Sequence, residues 1–164
     1  MNRIHGLSTL TFGAVFAFAV PQRSPAGAAA REMLAAHNAV RARVKVPPLT
    51  WSNKLESIAR QWAASLISSG KFEHRPDSNY GENLFEIRGS SASPAQVVNS
   101  WAGEAADYDA AKNSCRAGAQ CGHYTQVVWR DTKQAGCAMA RAGTREVWVC
   151  EYDPPGNWQG QRPY

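Results

Sequence analysis

Gly122-His123-Tyr124-Thr125-Gln126-Val127-Val128-Trp129-Arg130 (GHYTQVVWR) is the stretch whose conformation decides how this 164-residue chain is built. Its Tyr, Thr, Val and Trp content favours extended backbone, and period-two alternation sets His123, Val127 and Trp129 on one side of a strand over 123–129. Two more strands are expected downstream, over 135–140 and 146–152, the second rich in Val, Trp and Tyr. Beyond them, residues 154–164 hold three Pro and two Gly and read as an irregular tail. Upstream the pattern changes to helix. Met33, His37, Val40 and Val44 form one stripe of a helix over 31–44, ended by Pro47-Pro48. Ser52 can cap a second helix bearing Leu55, Ile58, Ala59, Trp62 and Leu66 and stopping at Gly70. A polar loop over 71–79 leads into a strand over 80–87. Ser93-Pro94 then starts a third helix, expected to reach about Tyr108. Helices first and strands later, without βαβ alternation, predict an α+β fold with an antiparallel sheet covered by helices.

The N-terminal thirty residues have a different character. Arg3 precedes the uncharged, mostly apolar stretch Leu7–Val20, followed by Pro21 and the small-residue run Ala26-Gly27-Ala28-Ala29-Ala30. This is the pattern of a secretory leader, and its apolar part is shorter than the roughly 18–20 residues that span a bilayer. The expectation is a leader over 1–30, cleaved near Ala28 or Ala30, and one exported domain over 31–164 with no transmembrane segment. Localisation is then extracellular, or the periplasm or envelope in a bacterium. The leader also accounts for part of the charge. The whole chain is +5, but residues 1–30 carry Arg3 and Arg23 and no acid, leaving 16 basic against 13 acidic side chains. A scattered surplus of that size does not make a nucleic-acid surface.

Export sets how Cys115, Cys121, Cys137 and Cys150 are read. An even set in an oxidising compartment points to disulfides, and no C-x-x-C pair suggests a zinc ribbon or a redox motif. Three connectivities are open. The local one joins Cys115 to Cys121 across a tight loop and Cys137 to Cys150 between two strands.

Few polar residues stand where chemistry is expected. Val97, Trp101, Glu104 and Tyr108 share a stripe of the third helix, so Glu104 falls among apolar neighbours and needs a partner. His123 faces packed residues, His74 lies in the polar loop, and Glu82 stands at a strand start. Convergence of these four would make a cleft. His37 also lies on an apolar stripe and reads as a core imidazole bonded to backbone. Trp51, Trp62, Trp129 and Trp148 read as core. No G-x-S-x-G, H-E-x-x-H or phosphate-binding glycine loop is present.

GHYTQVVWR over 122–130 resembles the first signature of the CAP superfamily (cysteine-rich secretory proteins, antigen 5 and plant pathogenesis-related class 1 proteins). Val149–Trp158 (VCEYDPPGNW) resembles the second, and Tyr80-Gly81-Glu82-Asn83-Leu84 and His37-Asn38 with Arg41 also fit. The likeness spans the chain beyond the leader and is nearest to the plant type. It implies a three-layer α-β-α sandwich with a central antiparallel sheet. It also implies a cleft tetrad of His74, Glu82, Glu104 and His123, whose two histidines can hold zinc or another divalent cation with Glu82 and Glu104 nearby. No cofactor is obligatory. Plant relatives usually carry a third cysteine pair, near Gly70 and Ala142 here; its joint absence favours the local disulfide pairing. Glu151 stands where the second signature usually has Asn.

The resemblance implies a secreted monomer that binds a sterol, another lipid or a different small ligand, in defence or host–microbe interaction. A metal-dependent, protease-like hydrolase is the alternative, with Glu82 or Glu104 as general base. A structural module of the extracellular matrix is a third reading. The tail Pro154–Tyr164 matches P-x-G-N-x5-P-Y, which plant relatives release as a signalling peptide. The preferred expectation is that it packs against the domain.

Overall fold

A computed structural model describes residues 25–164, with side-chain surroundings from Gly27 onward. The basic start, the apolar stretch and Pro21 of the expected leader lie outside the described residues. The first helix, α1 (Pro25–Arg43), begins six residues earlier than the stripe suggested. Ala26–Ala30 has high helix propensity, and Pro25 suits a first helical position. A two-residue strand β1 (Thr50–Trp51), absent from the sequence reading, precedes α2 (Asn53–Ser69). Ser52 caps α2 by accepting the Leu55 N–H, and Gly70 ends it in the left-handed conformation (φ 73°). β2 (Gly81–Arg88) follows the polar loop. α3 (Pro94–Gly103) opens with a capping box formed by Ser93 and Gln96. It stops short of Tyr108, giving way to a 3-10 turn at Glu104–Asp107.

The short strands β3 (Tyr108–Asp109) and β4 (Ser114–Cys115) form a small hairpin. The main correction falls on the decisive stretch. Gly122–Val127 is a helix, α4, where a strand was expected. Tyr124, Val127 and Val128 are buried at helical i, i+3, i+4 spacing, and the Glu104 carboxylate accepts the His123 and Tyr124 N–H groups at the start of α4. That tertiary partner outweighs the β-propensity of Thr and Val. β5 (Gln134–Ala142) and β6 (Arg145–Asp153) appear where expected.

The sheet has the order β1-β5-β6-β2, with β5, β6 and β2 antiparallel and β1 parallel to β5. It is therefore mixed at one margin. Central β6 is buried along nearly its whole length. On one face Ala59, Ala63 and Leu66 of α2 pack on Leu84, Ala138, Val147 and Val149. On the other, Met33, Val40, Val97, Val98, Trp101, Tyr124 and Val127 pack on Cys137, Trp148, Cys150 and Tyr152. This is the α-β-α sandwich. α2 lies so close to the sheet that a Cβ on Gly136 would stand 2.2 Å from the Glu56 nitrogen. Trp129 and Trp148 are buried, whereas Trp51 and Trp62 are only half-buried, which corrects the expectation that all four are core.

The disulfides join Cys115 to Cys121 and Cys137 to Cys150, and the second pair is directly opposed in the β5–β6 register. The tail packs on the domain. Pro163 O accepts the Arg130 N–H at 2.7 Å, Gln161 O accepts from Asn113, and Tyr164 joins a ring cluster with Tyr108 and Tyr124.

Candidate functional site

Among the described residues β2 is a margin of the sheet, and its first residues divide the site between the two faces. Successive side chains on a strand point to opposite sides. Glu82 shares the face of Leu84 and α2, while Asn83 shares the opposite face with α3 and α4. On the α2 side, His74 comes from the loop over 70–80 and donates from Nδ1 to Glu82 Oε1 at 2.6 Å, where the Arg75 N–H also binds at 3.1 Å. On the other side, His123 opens α4 and donates from Nδ1 to Glu104 Oε1 at 2.6 Å. The His123 ring stacks on Trp101 with centroids 6.3 Å apart. Asn83 Nδ2 fixes the backbone beneath it by donating to His123 O at 3.1 Å.

His74, Glu82, Asn83, Gln120, Gly122, His123 and Asn157 line one open cleft of about 290 Å³. Three of the four expected residues face it. Glu104 stands behind His123, with Oε1 on the imidazole and Oε2 on two backbone N–H groups. Its neighbourhood differs from the expected one because α3 ends at Gly103, so Glu104 leaves the apolar stripe and faces α4.

Both imidazoles have the same arrangement. A carboxylate fixes Nδ1 as the donor, which leaves Nε2 as the lone-pair nitrogen, the usual way a protein orients a metal-binding histidine. The hydrogen bond to Glu82 is the main cause that raises His74 above the ordinary histidine pKa; partial burial opposes it, and the Glu82 and Glu151 charges add to it.

The sequence reading did not single out Gln120, and it had Asn83, Gly122 and Asn157 only as letters of a motif. A usable signal existed for Asn157. It adopts a left-handed φ of 60° in a Pro/Gly-rich turn, which Asn tolerates, and it bonds Gly122 O and Thr125 Oγ1.

His37 is outside the cleft. It is buried, donating from Nδ1 to Met33 O at 2.8 Å and accepting the Tyr152 hydroxyl on Nε2 at 2.8 Å. Its nitrogens approach Cys137 and Cys150 closely enough for a metal cluster, but those two sulfurs are bonded to each other. Arg41 is also structural. Its guanidinium donates to the carbonyls of Pro47, Val127, Trp129 and Thr132, tying the end of α1 to the end of α4.

A separate apolar groove lies between α1, β1 and α2. Its inner part, about 110 Å³, is lined by Met33, Cys137, Ala138, Met139 and Trp148, and an outer part of about 410 Å³ adds Leu34 and Arg31. Ala30, Trp51 and Glu56 line both parts. Among the described residues no helix is long and apolar enough to cross a membrane.

Known proteins resemble this chain in sequence and in fold. Residues 34–152 match the model of the cysteine-rich secretory protein family, CAP. A pathogenesis-related protein of PR-1 type from Sambucus nigra is 40% identical over 148 residues, covering 90% of this chain and 86% of the relative. Pathogenesis-related protein 1A from Nicotiana tabacum is 42% identical over 135 residues, covering 82% and 80%. Among solved structures, NaASP2 with Zn2+ superposes with a TM-score of 0.70 at 26% identity, covering 86% of each chain. Schistosoma mansoni venom allergen-like protein 4 gives 0.68 at 25% identity, covering 83% and 93%. With its signatures, its sandwich and these likenesses, the chain belongs to the cysteine-rich secretory protein (CAP) family.

Proposed function

We propose that this chain is an exported defence protein of the pathogenesis-related class 1 type, and that its cleft binds a divalent cation, zinc foremost, through Nε2 of His74 and of His123. The observation that carries this reading is the pair of imidazoles, each with Nδ1 held at 2.6 Å by its own carboxylate on the rim of one cleft. Neutral imidazole nitrogens suit zinc, and two protein ligands leave positions open to solvent or to a ligand. The related NaASP2 was solved with zinc, which agrees with the donor chemistry here. Once bound, the cation would supply a Lewis-acidic anchor for an oxygen-bearing ligand. Asn83, Gln120 and Asn157 line the same cleft and offer hydrogen bonds to such a ligand.

Binding is favoured over hydrolysis by how the carboxylates are used. A general base needs an oxygen open to the reacting water. Glu104 has both oxygens on three N–H groups, and Glu82 Oε2 is buried. The test is calorimetry with zinc chloride on the wild type, His74→Ala and His123→Ala. Each variant is expected to lose most of the affinity, and equal affinities would exclude this site.

A lipid ligand has its own supporting observation, the α1–β1–α2 groove. Its floor is apolar, and Arg31, Glu56 and Arg60 supply a charged rim, which suits a sterol or fatty acyl chain with a polar end. Gly27, Ala29 and Ala30 form part of its wall, beside the expected processing site. Cleavage near Ala30 would open the groove further. Labelled sterol or fatty acid is expected to saturate the protein at micromolar concentration, and Met139→Asp is expected to weaken it; no saturation would remove the lipid reading.

A further inference from the structure

Two atoms beside the cleft have no hydrogen-bond partner among the described residues. They are Glu82 Oε2 and Glu151 Oε2, and both are buried. Glu82 and Glu151 are register partners on β2 and β6, so their side chains leave the sheet on one face with Cβ atoms about 5 Å apart. Their other oxygens are occupied. Glu82 Oε1 accepts from His74 and from the Arg75 N–H, and Glu151 Oε1 accepts from Arg75 Nε at 3.2 Å.

The charges around Glu151 are few. Arg75 and His74 approach from the loop over 70–80, and Glu82 from β2. β5 contributes only Gly136, its register partner, which has no side chain. α2 lays its first turn on that glycine, and the acid there, Glu56, is engaged with Trp51 and Arg60. The Arg75 guanidinium is thus engaged with Glu151 alone, while Glu82 is held by the Arg75 backbone N–H and by His74. Two like charges so placed oppose full ionisation, and a buried carboxylate oxygen without a donor is costly. A single proton relieves both penalties, because it turns one unpartnered oxygen into a donor for the other.

We propose that Glu151 is the positioning residue of the His74 arm: its protonated carboxyl donates a hydrogen bond to Glu82 Oε2 and so holds Glu82 in the orientation that receives His74 Nδ1–H. Burial in the first place, then the Glu82 charge, raises the Glu151 pKa to about 7, in agreement with the geometry. The purpose assigned to the arm rests on the metal-binding reading, but the hydrogen bond does not.

The test uses the full chain as wild type, Glu151→Gln and Glu151→Leu, with infrared spectroscopy, histidine NMR titration and zinc calorimetry. The wild type at about pH 6 is expected to show a carboxylic-acid carbonyl stretch that both variants lack. Glu151→Gln removes the Glu151 charge, which itself adds to the rise of His74, but keeps a donor for Glu82 Oε2, so its zinc affinity should stay near the wild type. Glu151→Leu is equally neutral but removes the donor, so its His74 midpoint should differ from that of Glu151→Gln and its zinc affinity should fall about tenfold. Absence of the acid stretch from the wild type, a folded Glu151→Leu whose His74 titration matches that of Glu151→Gln, or a Glu151→Gln that loses as much zinc affinity as Glu151→Leu would each overturn the proposal. If the wild type binds no zinc, the metal reading fails alone, while the infrared band and the His74 titration still decide the role of Glu151.

Discussion

At the scale of single residues, His37 and His74 show two opposite uses of imidazole. His37 is wholly buried, and desolvation lowers its pKa from 6.5 to about 4; the Met33 carbonyl pulls it up, and Arg41 pushes it further down. The unfolded chain therefore binds a proton that the folded chain refuses. The corresponding stability is present above about pH 6.5 and is lost as pH falls toward about 4, by about 3 kcal/mol. His37→Gln should flatten this part of a urea-denaturation profile taken across that window, and an unchanged acid slope would contradict the assignment. His74 goes the other way. Its raised pKa makes its ion pair with Glu82 a contribution present below the ordinary histidine value and lost as pH rises through the raised one. Exposure of His74 keeps that contribution small. The larger consequence falls on cation binding, because a protonated imidazole cannot ligate. Zinc affinity should start to fall, on acidification, at a pH above the ordinary histidine range, and Glu82→Gln should move that fall to lower pH. Calorimetry across a pH series reads both. His37 was legible from sequence because an imidazole on an apolar stripe has a backbone carbonyl one turn away. The pairing of each cleft histidine with one particular glutamate was not, since it joins residues on separate elements.

Among the elements, α4 is where local and tertiary preferences compete. Its six residues carry Thr and Val and invite a strand, but Glu104 presents a carboxylate to the N–H groups at its start, and Tyr124 and Val127 bury on α3's side of the sheet. Glu104→Ala should cost about 1–3 kcal/mol in chemical denaturation, because it orphans those N–H groups and frees the His123 ring. Glu104→Gln should cost less and still lower zinc affinity, since an amide oxygen is a weaker acceptor for Nδ1–H. α2 was readable in full, cap to cap, because Ser52, the apolar stripe and Gly70 are all local signals. β1 was not, having only two residues and depending on a distant partner, Gln134 with Ala135. The end of α3 at Gly103 was equally hidden, because the stripe of Val97, Trp101, Glu104 and Tyr108 continues in spacing after the helix has stopped.

For the whole molecule, stability depends on the two disulfides and on the docked tail. Cys137–Cys150 links the central pair of strands inside the core. Replacing both cysteines by Ala should cost about 2–4 kcal/mol. The tail is held at Pro163, Gln161, Arg162 and Tyr164. Ending the chain at Asp153 should therefore lower the melting temperature, and an unchanged value would mean that these contacts contribute nothing. Packing of the tail was expected from composition, and its route past α4 and the β3–β4 hairpin was not, because it is fixed by single hydrogen bonds over long sequence separations. The layered fold itself was legible through its periodicities and signatures, with the parallel β1 margin and the helix α4 in place of an expected strand as the exceptions.

The cleft straddles the β2 margin of the sheet, with His74 anchored to the layer of α2 and His123 to the layer of α3 and α4. A cation shared by the two rings would be a rivet through the seam between the layers packed on opposite faces of the sheet. Occupancy should then register as mechanical closure as well as affinity. At a hundredfold excess over its dissociation constant the ion would add about 2.7 kcal/mol to unfolding. Amide exchange should slow together at the start of β2, in the loop carrying His74 and at α4, and chelation should release all three in one step.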